Sequence, residues 1–239
     1  MKCSRVFCLL ILLSTLAVNA DEKSATPIYP ELIFEDDFSE DAFGKRWGHY
    51  KSASIVEDGV LVGKTADIKD HAGVDHIRCE GRRDMEVALR FKFAGPEAKK
   101  FNVWFDDKAY KGSHAGHITS IFIHPGGGSI ADAKRGHMSN ALYKMRKETG
   151  TLDDAGKAIL KTTMISFKKE IVEGEWHDLL IRTEGPLVTV YVDGEEVCRL
   201  ESEGNAHATK SLISLTTNIN DVHYDDLVIR AAPLADGAE

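Results

Sequence analysis

Histidine and aspartate side chains are concentrated in the middle of the chain. Imidazole exchanges protons near neutral pH, and together with carboxylates it can hold a divalent metal. The cluster therefore indicates proton transfer or a metal site, with surface or hydrogen-bonded histidines as the alternative. The cofactor stays unknown, and a divalent metal is the one candidate. Six of the ten histidines lie between positions 71 and 137, accompanied by three aspartates: His71, His76, His114, His117, His124, His137, Asp75, Asp106 and Asp107.

His114 and His117 form the most closely spaced pair of this cluster. A spacing of three residues points two side chains to opposite faces of a strand. In the loop before a strand, the two rings can still converge. We therefore take His117 as a catalytic candidate and His114 as a substrate-binding candidate. His137, at the rim of the same site, is a further substrate-binding candidate.

Polar side chains alternate with apolar ones in two successive predicted strands. Glu86 and Arg90 share a face of one strand, and Asn102, Trp104 and Asp106 share a face of the next. A tryptophan ring stacks on the C–H face of a sugar, while polar groups fix its hydroxyls. We therefore expect a saccharide partner, with two of these acids, Glu86 and Asp106, as catalytic candidates and the other three as binding groups. The alternative places Trp104 in the core.

The charge balance argues against a nucleic-acid partner. The 239 residues include 38 acidic and 30 basic side chains, for a net charge of −8, so no basic excess is present to release counterions from phosphates. One basic run, at residues 144–147, is followed by Glu148, Asp153 and Asp154. This mixture predicts a solvated face.

The first twenty residues resemble an export signal. Lys2 and Arg5 precede an apolar run at residues 6–18, which is shorter than the roughly 20 residues of a membrane span. Small residues before Asp21 suit cleavage there, and an uncleaved anchor is the alternative. We expect a secreted or periplasmic protein with no membrane span after cleavage. Without Lys2 and Arg5 the net charge becomes −10.

Two cysteines remain after such a cleavage, Cys79 and Cys198. An exported protein permits a disulfide, which would close a long loop and stabilise the fold by a few kcal/mol. Two unpaired, buried thiols are the equal alternative.

The positions of apolar residues after residue 30 follow a period of two, which is typical of strands with one buried face. Turn signals such as Asp58-Gly59 and Asp193-Gly194 separate the strands. A glycine-rich stretch at residues 124–129 lacks the lysine of a phosphate-binding loop and is interpreted as a flexible turn. One short helix is expected near residues 152–161. The predicted strands span residues 32–38, 55–62 (a hairpin), 85–93, 101–105, 118–123, 176–182, 187–192, 196–200, 212–217 and 222–229.

This pattern predicts an all-β, two-sheet antiparallel sandwich. We expect a lead-in at residues 21–30, one sandwich domain at residues 31–231 and a flexible tail at residues 232–239.

Four segments carry a resemblance to a known family. They are EVALRFKF at residues 86–93, GEWHDLLI at 174–181, VYVDGEEV at 190–197 and VHYDDLVI at 222–229. They resemble strands of the 3-keto-disaccharide hydrolase domain, a member of the concanavalin A-like lectin/glucanase superfamily. The resemblance implies a jelly roll whose concave sheet face binds saccharide.

The sequence departs from that family at chemically important positions. It lacks the E-x-D-x-x-E strand of family-16 glycosidases, so a paired-carboxylate mechanism does not carry over. Arg90 stands where the family commonly has a glutamate, and a later acidic position corresponds to His117 or a near neighbour. The resemblance thus implies a 3-keto-glycoside hydrolase or lyase. The alternative is a non-catalytic lectin-like or adhesion module.

Overall fold

The computed structural model of the chain describes residues 27–234. The predicted signal segment, the start of the lead-in and residues 235–239 of the tail lie outside the described residues. The two α-helices of the described part are too short and too polar to cross a membrane.

Two antiparallel β-sheets build the sandwich that the sequence predicts. Sheet I consists of eight strands: β1 (Glu31–Asp36), β3 (Ile55–Glu57), β4 (Val60–Gly63), β6 (Met85–Phe93), β11 (His177–Glu184), β12 (Leu187–Val192), β13 (Glu195–Glu201) and β15 (Val222–Ala231). Sheet II consists of seven: β2 (Trp47–Tyr50), β5 (Gly73–Arg82), β7 (Ala98–Asp106), β8 (His117–His124), β9 (Gly127–Asp132), β10 (Met164–Lys168) and β14 (Lys210–Ile219).

The strand order places the chain's central strands in different sheets. Sheet I runs β13-β12-β11-β6-β15-β4-β3, with β1 also paired to β15, and sheet II runs β10-β9-β8-β7-β14-β5-β2. Strands β6 and β7 are consecutive in sequence, yet each lies near the middle of its own sheet. Their outward faces therefore point to opposite sides of the sandwich.

The core between the sheets is formed by the apolar residues of each alternating strand. In β7, Phe101, Val103 and Phe105 are fully buried, whereas Asn102 and Trp104 are half-buried on the other side. In β6, Phe91 packs against Phe101 across the sheets, with ring centroids 5.0 Å apart. The predicted alternation is thus confirmed, and Trp104 does not belong to the core.

Two helices, rather than one, connect β9 to β10. The expected helix is α2 (Asp154–Thr163), whose N-cap Asp153 accepts a hydrogen bond from the Gly156 N–H. The other, α1 (Asn140–Thr149), was not predicted and carries the basic run. Leu142 is its one buried residue, so it lacks the apolar stripe by which a helix is recognised in a sequence.

Strands β2, β5, β9 and β10 were not predicted either. The glycine-rich stretch is a tight turn that leads into β9, so only its first part is a turn. Gly128 of β9 packs against its neighbours so closely that a Cβ there would lie 2.2 Å from the Phe122 carbonyl oxygen and 2.7 Å from Phe167. Glycine is required in this strand by close packing.

Within residues 27–234, Cys79 and Cys198 are both unpaired. Cys79 lies on β5, near the β2 edge of sheet II, and Cys198 lies on β13, the edge of sheet I that contacts β10 at the other end of sheet II. The two thiols are therefore at opposite ends of the sandwich.

Candidate functional site

The outward face of sheet II carries a row of polar and aromatic side chains. Strand pairing aligns His76 on β5 with Ser214 on β14, Ser214 with Trp104 on β7, and Trp104 with Ser120 on β8. Because neighbouring strands bring paired side chains to the same face, these four residues form one continuous strip across the middle of the sheet.

A β-bulge brings His117 to this face. Phe105 pairs with Thr119, but the next residue, Asp106, pairs with His117, so Ile118 is left as an extra residue. Bulges re-aim side chains in this way and are frequent beside active sites. The bulge places the His117 imidazole opposite the Asp106 carboxylate.

Asp106 and His117 form a tight hydrogen-bonded pair. The His117 Nδ1 to Asp106 Oδ1 distance is 2.7 Å, and the Ser214 hydroxyl lies 3.4 Å from Asp106 Oδ2. The carboxylate is only 3% exposed, whereas the imidazole is 18% exposed. An ionised carboxylate only accepts hydrogen bonds, so Nδ1 donates its proton and Nε2 keeps its lone pair. Nε2 has no hydrogen-bond partner among residues 27–234.

Trp104 is surrounded by imidazole rings. Its ring centroid lies 4.1 Å from that of His117 and 6.0 Å from that of His137. The His114 ring is 6.0 Å from the His117 ring. A short 3₁₀ turn at His114–Gly116, with Ala115 in the left-handed region, precedes β8 and allows the two histidines to converge. We call Trp104, Asp106, His114, His117 and His137 the Trp104 site.

Helix α1 supplies a further ring that the sequence did not reveal. Tyr143 stacks on His114, with centroids 3.8 Å apart and planes inclined by 8°. The helix is held there by its N-terminal loop, since the His114 N–H donates to the Met138 carbonyl at 2.7 Å. Tyr143 could be found only by predicting α1, a helix with a single buried residue.

Burial favours the neutral form of two imidazole rings of the site, those of His137 and His114. Burial, followed by the charges of Arg146 and His117, lowers the pKa of His137 to about 4. Burial also lowers the pKa of His114, with further contributions from His117, Lys147 and His71. Burial and nearby Lys108 lower the pKa of His76 at the far end of the strip. Neutral imidazoles both donate and accept hydrogen bonds, as sugar hydroxyls require.

Five of the eight predicted site residues converge, and a sixth, Asn102, lies two positions from Trp104 on the same face. Glu86 and Arg90 do not join them, because β6 belongs to sheet I. The grouping of these two residues with the others was wrong. Consecutive strands usually pair, but here the chain crosses between sheets after Phe93.

Glu86 and Arg90 have other contacts. The Glu86 carboxylate is 3% exposed and accepts a 2.7 Å hydrogen bond from Arg182 Nε and a 3.0 Å bond from the Ile28 N–H. Arg90 lies 3.6 Å from the Asp226 carboxylate, and its guanidinium carbon is 5.0 Å from the Trp176 ring. Glu86 thus ties the start of the described chain to sheet I.

Within residues 27–234, no three histidine, cysteine, aspartate or glutamate side chains are placed to hold a metal ion. The arrangement at the Trp104 site instead suits proton transfer. A histidine whose Nδ1–H is held by a carboxylate has the right tautomer and orientation to accept a proton at Nε2. Trp104 beside it offers an apolar surface for a sugar ring.

Solved structures similar to this chain are carbohydrate-related sandwiches. A family GH16 non-specific endo-β-1,3(4)-glucanase matches with a TM-score of 0.56 and 13% identity, covering 88% of this chain and 94% of that one. A carbohydrate-binding module, CBM66 from Bacillus subtilis, matches with a TM-score of 0.50 and 10% identity, covering 78% and 96%. At such identities the likeness shows the concanavalin A-like fold alone.

A sialidase matches with a TM-score of 0.58 and 12% identity over 84% of this chain, which spans only 18% of the sialidase. No curated protein sequence matches the chain. The family described as the 3-keto-alpha-glucoside-1,2-lyase-like domain matches residues 33–230, which include every strand from β2 to β14, most of β1 and all but the last residue of β15. The chain therefore belongs to the 3-keto-alpha-glucoside-1,2-lyase-like family.

Proposed function

We propose that this protein is an exported carbohydrate-active enzyme that cleaves a 3-keto-glycoside by elimination at the Trp104 site. The observation that carries the proposal is the 2.7 Å contact between Asp106 and His117, which leaves the His117 Nε2 lone pair on the same face as Trp104. Export is supported by the basic and then apolar start of the sequence. Family membership supports the keto substrate.

When the substrate carries a keto group, one general base is enough to cleave the glycosidic bond. A carbonyl at C3 acidifies the C2–H bond, so His117 Nε2 can take that proton while Asp106 stabilises the resulting imidazolium. The electron pair forms the C1–C2 double bond as the C1–O bond breaks. The departing oxygen then takes the proton back from His117. Addition of water to the double bond would complete a net hydrolysis.

The substrate would bind through stacking and neutral hydrogen bonds. Trp104 supplies the apolar platform, and the neutral His114 and His137 rings supply donors and acceptors for hydroxyl groups. Asn102 lies two positions from Trp104 and extends this face along β7. Glu86 and Arg90 have no part in the proposed mechanism.

The direct test is turnover of 3-keto derivatives of maltose or trehalose beside the parent disaccharides. We expect cleavage of the keto sugars only, and in D₂O the product formed by addition of water to the C1–C2 double bond should carry solvent deuterium at C2. His117→Gln should lower kcat at least 100-fold, because a general base typically contributes that much. His124→Gln, at the other end of β8, is the matched control and should keep its rate.

A lectin-like module is the second candidate. It is favoured by the composition of the Trp104 site, where Asp106 is the one carboxylate among five residues and is already held by His117. The two functions predict different results for the same samples. Saccharide binding that Trp104→Ala weakens, with neither turnover nor deuterium exchange, would establish the lectin. Absence of both binding and turnover would contradict a saccharide site.

A further inference from the structure

Helix α1 places two cationic side chains beside the Trp104 site. The Arg146 guanidinium carbon lies 5.9 Å from the Tyr143 ring centroid, and Lys147 Nζ lies 5.8 Å from it. Tyr143 itself is stacked on His114. Arg146 and Lys147 of the basic run thus both lie against the Tyr143 ring, and this ring contacts His114 of the Trp104 site.

The described part of the chain does not neutralise these two cations. Arg146 and Lys147 are exposed and form no ion pair with any residue between 27 and 234, whereas their neighbour Lys144 lies 3.8 Å from Glu148. An exposed cation without a partner is available to a ligand. The basic run, which the sequence suggested to be a merely solvated face, thus consists of one paired and two unpaired charges.

The charges of Arg146 and Lys147 contribute to lowering the pKa values of two histidines of the site. Arg146 contributes to the lowered pKa of His137, and Lys147 contributes to the lowered pKa of His114, in each case after burial. The Asp106 carboxylate next to these rings is 3% exposed and is contacted by His117 and Ser214. It therefore does little to neutralise the charges of Arg146 and Lys147. Two cations without an ion-pair partner among residues 27–234, beside the site of a chain with net charge −8, are suited to bind an anion.

We propose that the saccharide recognised at the Trp104 site is acidic and that its carboxylate or sulfate group pairs with Arg146 and Lys147. The sugar ring would stack at Trp104, and the anionic substituent would extend over Tyr143 towards the helix. This proposal rests on the proposed function only in requiring a saccharide site there. It holds equally for an enzyme and for a lectin.

The test compares matched neutral and acidic ligands by calorimetry. The probes are glucose disaccharides, the same disaccharides with one glucuronate unit, and the same disaccharides with one 6-O-sulfate. At low salt we expect the acidic ligands to bind about tenfold more tightly, as two exposed ion pairs would give. The advantage should shrink at 0.5 M NaCl because salt screens exposed charges. The two acidic probes separate carboxylate from sulfate recognition.

The variants show which residues carry the effect. The double change Arg146→Gln and Lys147→Gln should remove the preference for acidic ligands while leaving neutral binding unchanged. Lys144→Gln, on the same helix, is the matched control and should keep the preference. Equal binding of neutral and acidic probes to the unmodified protein would overturn this inference but not the saccharide site. A preference that survives the double change would also overturn it. Absence of binding by every probe would overturn this inference too, while turnover of the 3-keto disaccharides tests the saccharide site separately.

Discussion

At the level of single residues, the three imidazoles around Trp104 are held by different forces. His117 is oriented by the Asp106 carboxylate, His114 is stacked on Tyr143, and His137 is held mainly by burial. One imidazole is therefore positioned for proton transfer, while the other two stay neutral. A uniform histidine cluster in the sequence thus corresponds to three distinct roles in the fold.

Burial of His137 predicts a loss of stability in mild acid. Its pKa is lowered from 6.5 to about 4, so the unfolded chain binds a proton between these values that the folded chain does not. Stability is then fully present above pH 6.5 and falls as the pH drops towards 4, by about 3 kcal/mol from this residue. His137→Gln should flatten this part of the stability curve, measured by urea unfolding between pH 4 and 7.

His124→Gln provides the matched control for this measurement. It removes an imidazole from sheet II and keeps His137, so a flattening that occurs only in His137→Gln is assigned to the His137 ring. If His137→Gln keeps the full slope, the proton uptake belongs to other groups and the account of His137 is incorrect.

At the level of elements, prediction succeeded where burial alternates strictly. The strands β6 and β7 were predicted because every second residue is apolar, which directly encodes one buried face. Strand β5 was missed because Asp75, fully buried, breaks the pattern by bonding His49 and Ser54 inside the protein. Helix α1 was missed because a single buried leucine leaves no stripe.

The sheet to which a strand belongs is not encoded in its own alternation. Nothing within β6 or β7 distinguishes sheet I from sheet II, since that choice depends on which distant strands pair with each. The structure therefore brings together the candidate residues of β7, β8 and the loops around them, and it separates the candidates of β6 from them. The bulge at Ile118, which aims His117, also depends on pairing and leaves no sequence signal.

The position of Glu86 on sheet I predicts a structural phenotype for its removal. Glu86→Ala would leave the Arg182 guanidinium, 12% exposed, without this carboxylate and would release the Ile28 and Tyr29 N–H groups. Removing one partner of a buried ion pair costs about 3 kcal/mol. We expect a loss of that size in chemical denaturation, with saccharide binding by the folded fraction preserved.

Arg90→Gln on the same strand is the comparison. Arg90 is 40% exposed and its ion-pair distances are 3.6 Å or more, so we expect a change below about 1 kcal/mol. If Glu86→Ala instead lost saccharide binding while its stability stayed unchanged, Glu86 would belong to the functional site.

At the level of the whole molecule, the positions of the two cysteines at distant edges of the sandwich keep their thiols from pairing. Cys79 and Cys198 lie at opposite ends of the sandwich, and burial raises the pKa of the Cys79 thiol to about 11. We expect residues 21–239 to contain two free thiols, measured by thiol titration in denaturant. The melting temperature should be the same with and without a reductant.

Cys79→Ser and Cys198→Ser should each remove one titratable thiol. A monomer in which both thiols are absent before reduction, and whose melting temperature falls when it is reduced, would contradict this placement.

The segment between β9 and β10 carries a different set of side chains around the site from those that the strands carry. The strands carry Trp104, Asp106 and His117, whereas the helical insertion carries Tyr143, Arg146 and Lys147. That insertion leaves and re-enters the sandwich at adjacent antiparallel strands, where Ala131 is paired with Met164. Because its two ends lie side by side on adjacent strands, we expect that exchanging the insertion would change the side chains that border the Trp104 site, His137 included, while Asp106 and His117 keep their places on β7 and β8.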